Sequence, residues 1–241
     1  MPRPSCASRA GDAPPERHAS SRSPRPTWGG RRAGAGRPRG KRPPVPHRTR
    51  PAHRPYQPVH VTLRRAKGLP SFRCEGLHRL LLRAIRDTGR ARGDSFRVVH
   101  YSIQADHLHV IVEADDRTEL SNGMRSFAIR IALRVNRLLD RKRGKVWGDR
   151  HHRRDLTTPS EVRNALVYVL SNHLKHGEID VGLVDPYSTG PWFEGWLHGL
   201  EPPPPKPSIV RRATTWLLRK GWETHGFIHR GELPRAARAP R

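Results

Sequence analysis

The chain has 241 residues, and its 47 lysines and arginines against 21 acidic residues give a formal net charge of +26. This excess is far more than solubility requires, so we expect a polyanionic partner, with nucleic acid as the first candidate. No stretch approaches the roughly 20 apolar residues of a membrane-spanning helix, and the two cysteines form neither a disulfide framework nor a zinc-ligand spacing. The sequence therefore predicts no membrane partner and a reducing, cytoplasmic location.

Three segments of the chain differ in composition. Residues 1–55 contain 14 basic residues, two acidic residues and 12 prolines, with almost no apolar periodicity. Such a segment cannot bury enough apolar surface to offset the entropy of ordering, so we predict a disordered basic arm. Residues 56–178 are predicted to form the folded domain. Residues 179–241 are predicted to form a basic C-terminal extension with a short helix, which packs on the domain or contacts DNA.

The folded domain begins with alternating strand and helix patterns. In VHVTLR, residues 59–64, apolar and polar side chains alternate, which predicts a half-buried strand. Residues 74–89 place leucines at helical spacing with arginines outside, which predicts a helix. A second strand is predicted over residues 95–104. Its two faces carry Val99, Tyr101 and Ile103, and His100, Ser102 and Gln104.

The third predicted strand, in QADHLHVIVEADD, carries two histidines on one side. Because the side chains of a strand alternate between its faces, His107 and His109 project together, away from Leu108, Val110 and Val112. Two such imidazoles either hold a metal ion or belong to a half-exposed strand edge. The short QAD turn predicts an antiparallel hairpin with the second strand.

A long amphipathic helix is predicted to begin after Asp116, an N-cap residue with Glu119 at the capping-box spacing. One apolar stripe runs along it: Leu120, Met124, Phe127, Ala128, Ile131, Val135, Leu138 and Leu139. Four arginines at steps of four, three and four form a cationic ridge: Arg130, Arg134, Arg137 and Arg141. The ridge is either a solvated charged face or a surface that follows phosphates, and the net charge leaves both readings open.

A short strand is predicted before a last helix, which runs from the N-cap Thr158 to Gly177. On this helix Tyr168 and Asn172 lie one turn apart, beside the apolar stripe. The order strand, helix, strand, strand, helix, short strand, helix predicts an α+β fold. We expect a ferredoxin-like antiparallel sheet, with helices packed on one face and a histidine-rich polar face opposite.

The polar face has residues suited to phosphodiester chemistry. A tyrosine hydroxyl attacks a phosphodiester if another group polarises the phosphate and accommodates the departing alkoxide, and a divalent metal does both. Two imidazoles and an amide oxygen are acceptable ligands for Mn²⁺ and tolerable ones for Mg²⁺. From the residues alone, a structural Tyr168 at the edge of the core, with its hydroxyl in water, stays an alternative.

Three ordered motifs together resemble the HUH single-tyrosine transposases: the strand HVTLR, the hairpin VVHYSIQADHLHVIVEA and the helix ALVYVLSNHLKHG. More narrowly, the chain is similar to the REP-associated tyrosine transposases of bacteria, relatives of the insertion-sequence-200-like transposases. The resemblance covers roughly residues 57–178. The family often has Asn-Pro where this chain has Asn172-His173, so we expect the helix to continue past its usual end.

The resemblance implies an HUH-type domain in which His107, His109 and Asn172 bind Mg²⁺ or Mn²⁺ and Tyr168 is the nucleophile. It implies DNA transposition and recombination on single-stranded DNA with hairpin or inverted-repeat ends, through a 5′-phosphotyrosine and a free 3′-hydroxyl. DNA binding would associate the protein with the bacterial nucleoid, and family members occur as monomers and as homodimers. The residues expected to line or approach the DNA are His60, His100, Arg64, Arg130, Arg134 and Arg137.

Two other functions fit the same residues. One is a non-catalytic, sequence- or hairpin-specific DNA-binding protein, or an RNA-binding one, derived from a transposase. The other is a metal-dependent phosphodiesterase that uses water, with Tyr168 structural. Formation of a covalent protein–DNA adduct separates the transposase from both. His151 and His152, in a basic turn, either assist DNA binding or are exposed basic residues.

Overall fold

The computed structural model describes residues 52–176, 184–198 and 209–233. Residues 1–51 of the predicted basic arm lie outside the described residues, so the disorder of the arm stays a prediction. Within the described ranges, no helix combines the length and the apolar character needed to cross a membrane.

The described elements form one sheet with helices on it. In chain order they are β1 (Val59–Arg64), α1 (Glu75–Arg92), β2 (Phe96–Ile103), β3 (His107–Ala114), α2 (Arg117–Leu138), β4 (His152–Asp155), α3 (Pro159–Leu170), α4 (Asn172–His176) and α5 (Trp216–Arg219). The strands pair antiparallel in the order β2-β3-β1-β4. With α1 and α2 as the crossovers, this is the ferredoxin-like topology, so the predicted α+β fold is confirmed.

The strand register places the predicted polar side chains on one face of the sheet. Thr62 of β1 and Ser102 of β2 both lie opposite His109 of β3. His60 and His100 likewise both lie opposite Ile111. Because residues paired across a sheet share a face, the histidine-rich face predicted from alternation is confirmed.

Helices cover both faces of the sheet. The apolar face packs against α1 and α2, in a core that includes Val61, Leu81, Val110, Phe127 and Ile131, all fully buried. The opposite face carries α3, since Ile111 packs with Val162 and Leu166 of that helix. The prediction that the helices pack on one face therefore holds for α1 and α2 only. In the sequence, Ile111 is a single apolar residue on the histidine side of β3, which was not enough to predict that a helix covers this face.

A β-bulge in β2 changes one predicted side-chain direction. The register shifts between Val98 and His100, and Val99 packs in the cluster around α3 instead of in the core with Tyr101 and Ile103. The prediction that Val99 shares a face with Tyr101 is wrong because an inserted residue breaks the two-residue alternation.

The predicted helix starts are confirmed by their caps. The Asp116 carboxylate accepts a hydrogen bond from the Glu119 amide at 2.7 Å, and the Thr158 hydroxyl accepts one from the Glu161 amide at 3.2 Å. The last helix differs from its prediction. The backbone of Ser171 leaves helical geometry, with φ −109° and ψ 15°, so α3 ends there and α4 follows as a separate short helix.

Replacing Gly123 with alanine is expected to destabilise the fold. A Cβ on Gly123 of α2 would lie 2.2 Å from two ring carbons of Phe96, a fully buried side chain of β2. Overpacking a core in this way costs about 1–3 kcal/mol of unfolding free energy, measurable by urea denaturation.

A glycine on the neighbouring helix provides the matched control. A Cβ on Gly76 of α1 would meet only Leu138, at an ordinary 3.5 Å. Alanine there is expected to leave stability unchanged or to raise it by about 0.5–1 kcal/mol, since alanine favours helices. Equal effects at the two positions would contradict the close approach at Phe96.

Candidate metal and nucleophile site

The two predicted histidine ligands lie at the centre of the sheet. β3 is bordered by β1 and β2, and His107 and His109 are 6% and 2% exposed. The alternative of a half-exposed strand edge is therefore wrong. Buried imidazoles need hydrogen-bond partners on both ring nitrogens or a ligand on one of them.

A carboxylate fixes the orientation of His107. Its Nδ1 lies 2.5 Å from Oδ1 of Asp106, the preceding residue. Burial raises the pKa of Asp106, but the hydrogen bond and charge of His107, with Arg64 and Arg65 nearby, outweigh it and lower the pKa. When His107 is neutral, the ionised Asp106 accepts its one ring proton at Nδ1, and Nε2 is then the unprotonated nitrogen that a metal would bind.

Two neighbours on β1 orient His109 in the same way. Its Nδ1 lies 3.0 Å from Oγ1 of Thr62 and 3.2 Å from Nε2 of His60. Burial lowers the pKa of His60 to about 4, and the charges of His152 and Arg154 add to this effect. A neutral His60 and the Thr62 hydroxyl can both accept a hydrogen bond from Nδ1 of His109. In that tautomer Nε2 of His109 is the unprotonated nitrogen that a metal would bind.

Asn172 brings an amide group to the two histidines. It is 1% exposed, and its Nδ2 lies 3.5 Å from Nε2 of His107. Its Oδ1 is buried and has no hydrogen-bond partner among the described residues. A half-turn of the amide exchanges the two atoms, which would place Oδ1 beside His107. The orphaned oxygen is therefore suited to be the third ligand.

This donor set fits a hard divalent cation. Within residues 52–176, 184–198 and 209–233, no three His, Cys, Asp or Glu side chains come together as a metal site. The candidate set instead combines two imidazole nitrogens with one amide oxygen, which suits Mn²⁺ or, with water and phosphate oxygens added, Mg²⁺.

Tyr168 faces the histidines from α3. Its half-buried ring lies edge-on to His109, with ring centroids 5.0 Å apart, and 5.6 Å from His60. The structure therefore brings together all four residues predicted to form the metal and nucleophile site.

An open pocket joins the two histidines and Tyr168 to solvent. It is lined by Thr62, Arg64, His107, His109, Asp149, Arg150, His152 and Tyr168. Alternation along VHVTLR places Thr62 on the polar side of β1, but its contact with His109 becomes evident only when the strand register is known. Sequence reasoning missed Asp106, Asp149 and Arg150 as parts of the site. Of these only Asp106 gave a signal, as a carboxylate directly before His107. The three basic side chains at the rim, Arg64, Arg150 and His152, suit an anionic substrate.

The structure separates the α2 arginines from this pocket. α2 packs on the apolar face of the sheet, whereas His107 and His109 lie on the opposite face. Arg134 donates to Asp87 of α1 at 2.5 Å, which lowers the pKa of that carboxyl. Arg64 and the α2 arginines therefore do not line one continuous DNA path in this fold. Binding of DNA by Arg130, Arg134 and Arg137 stays a prediction.

His100 also lies apart from the pocket. Its Nδ1 is 3.1 Å from Oγ1 of Thr189, and its ring contacts Phe193. Both partners belong to residues 184–198, so His100 contributes to packing of that segment on β2.

Comparison with known proteins yields a structural likeness. No protein-family model matches the chain, and no curated protein matches its sequence. A solved structure described as the REP-associated tyrosine transposase bound to a REP hairpin is similar, with 18% sequence identity and a TM-score of 0.48. The match covers 60% of this chain and 82% of that one.

Proposed function

We propose that the chain is a metal-dependent, single-stranded DNA endonuclease and strand transferase of the transposase type. The observation that carries this proposal is the meeting of two oriented imidazoles and a tyrosine ring at one pocket, with the buried amide of Asn172 against one of the imidazoles. The motif resemblance to HUH single-tyrosine transposases supports the same function.

His107, His109 and Asn172 would hold Mg²⁺ or Mn²⁺, and the metal would supply charge neutralisation at the phosphate and at the departing oxygen. The hydroxyl oxygen of Tyr168 forms a bond to phosphorus while the P–O3′ bond breaks. The electron pair of the broken bond leaves with O3′, which ends as a free 3′-hydroxyl, and the tyrosine proton passes to solvent or to that oxygen. The product is a 5′-phosphotyrosine, whose bond energy permits strand transfer without ATP.

The partner is proposed to be single-stranded DNA at hairpin or inverted-repeat ends. Arg64, Arg150 and His152 lie where the strand would enter the pocket. Guanidinium groups form paired hydrogen bonds to phosphate oxygens, so Arg64 and Arg150 are suited to hold phosphates beside the scissile one. A cytoplasmic, nucleoid-associated location and a homodimer are further parts of this proposal.

The test is covalent capture of DNA by the full-length chain. Hairpin oligonucleotides from inverted repeats near the gene are incubated with protein and Mn²⁺ and then denatured. We expect a label at the 3′ end to migrate with the protein, and a label at the 5′ end to appear on a released fragment with a 3′-hydroxyl. Failure of every such hairpin to give an adduct would contradict the proposal. Cleavage without an adduct would favour the water-dependent phosphodiesterase.

Replacing Asn172 with alanine is expected to weaken Mn²⁺ binding. Loss of one of three protein ligands should lower the affinity by about tenfold or more, corresponding to at least about 1.4 kcal/mol. Titration of free Mn²⁺ by electron paramagnetic resonance measures this without any DNA. Asn172→Asp keeps an oxygen donor and should retain binding. Asn164, an exposed asparagine of α3, is the matched control, and its change to alanine should have no effect.

A further inference from the structure

One face of β3 carries, in order along the strand, the candidate metal ligands, a packing contact for α3 and an anchor for the C-terminal segment. Side chains on one face recur every second residue, so His107, His109, Ile111 and Glu113 all point to the same side. The first two are the candidate ligands, and Ile111 is the residue on which α3 packs. Glu113, about 13 Å beyond His109 at the usual rise per residue, contacts the C-terminal segment.

Glu113 is a buried anchor for residues 209–233. Its side chain is fully buried, and Arg97, the residue opposite it on β2, donates to it at 3.3 Å. Both its oxygens accept hydrogen bonds from the segment: the amides of Thr214 and Thr215 at 2.8 and 3.0 Å, and their hydroxyls at 2.9 and 2.7 Å. Charge-assisted bonds of this number fix the segment to the sheet.

The anchored segment covers the outer side of α3. Leu217 and Leu218 of α5, Trp222 of the following 3-10 turn (Gly221–His225) and Ile228 are all buried with the apolar residues of α3. Ile111 and Val99 belong to the same cluster from the sheet side. The helix that carries Tyr168 is therefore packed between the sheet and residues 216–228.

An ion pair completes the hold on α3. Arg163 donates to both carboxylate oxygens of Glu232, at 2.6 and 2.9 Å, and also to the carbonyls of Gly226 and Phe227. Arg163 lies five residues before Tyr168, hence about 140° away around the helix axis. The helix is held on one side while Tyr168 faces the histidines on another.

We infer that residues 214–232 act as a clamp, anchored by Glu113, that positions Tyr168 against His109 through the Arg163–Glu232 pair. Arg163 and Glu232 are thus positioning residues for the proposed reaction, and this role rests on the proposed function. The clamp itself is a physical feature that can be measured without substrate.

Charge exchange at the pair provides the test. In the full chain, Arg163→Glu alone and Glu232→Arg alone are expected to speed amide hydrogen exchange across residues 159–170 by about tenfold, whereas α2 amides keep their protection. The double exchange restores an ion pair and should recover part of the α3 protection, since a glutamate at position 163 cannot donate to the carbonyls of Gly226 and Phe227. Glu232→Gln, which keeps the side-chain shape, should change exchange in the same direction as Glu232→Arg.

A matched control lies in the same segment. Glu223 pairs with Lys220 of its own segment at 3.4 Å, so Glu223→Arg makes the same charge change without removing an ion pair to α3 and should leave α3 exchange unchanged. Unchanged α3 protection in both single variants, or no recovery in the double variant, would overturn the clamp.

A second readout connects the clamp to catalysis. At saturating DNA, the rate of adduct formation should fall about tenfold in each single variant and recover in part in the double one. DNA and Mn²⁺ affinities should stay unchanged, because neither the pocket rim nor the ligands are altered. Unchanged adduct rates with lost α3 protection would overturn the positioning role. An inactive wild-type chain would instead refute the proposed function, and the exchange result would still decide the clamp.

Discussion

Tyr168→Phe is expected to abolish the covalent protein–DNA adduct, lowering its rate of formation by about a thousandfold or more. The substitution removes only the hydroxyl oxygen that would bond to phosphorus. Phenylalanine keeps the ring, which packs edge-on to His109 and close to His60, so the imidazoles retain their surroundings. Affinities for Mn²⁺ and for hairpin DNA should therefore stay within about twofold of wild type, well under the 1.4 kcal/mol of a tenfold change.

The control for this experiment is Tyr56→Phe, which removes a hydroxyl that accepts a hydrogen bond from Arg54 at an exposed position outside the pocket. It should form the adduct at the wild-type rate. An adduct that persists in Tyr168→Phe would mean that another residue is the nucleophile. Loss of Mn²⁺ binding in that variant would indicate a structural role for the hydroxyl.

Local sequence patterns were sufficient for much of the fold and for the pair of histidines. These patterns depend only on residues that are neighbours in the chain. They are the alternation in β1 and β3, the caps at Asp116 and Thr158, and the QAD turn, which is short enough to predict a hairpin. The ferredoxin-like strand order follows from these elements with few alternatives. His107 and His109 were predictable for the same reason, because two residues on one strand share a face whatever the strand pairs with.

The rest depended on contacts between distant segments. Thr62 lies opposite His109 because of the register between β1 and β3. Alternation within one strand does not reveal that register. The position of α3 on the histidine face follows from Ile111 and from residues 216–228, far apart in the sequence. The α2 arginines were placed on the same path as Arg64 because charge spacing shows that residues share a helix face but not which side of the sheet the helix covers.

Glu113→Ala is expected to have the largest effect on stability. The buried carboxylate joins β2, β3 and the C-terminal segment, and its removal leaves Arg97, 8% exposed at the side chain, without its buried partner. The amides and hydroxyls of Thr214 and Thr215 lose their acceptors as well. Breaking a buried pair in this way costs about 3–5 kcal/mol, which urea denaturation followed by circular dichroism would measure.

Asp115→Ala is the control that distinguishes the effect of burial from the effect of losing a negative charge. Asp115 pairs with the same Arg97 at 3.3 Å, but its side chain is 56% exposed. Asp115→Ala therefore removes the same charge at a cost of about 1 kcal/mol or less, since water screens exposed pairs. In the Glu113 variant, limited proteolysis should also cut residues 209–233 before the sheet unfolds. Equal stability losses at the two positions, with that segment still protected, would mean that Glu113 does not anchor it.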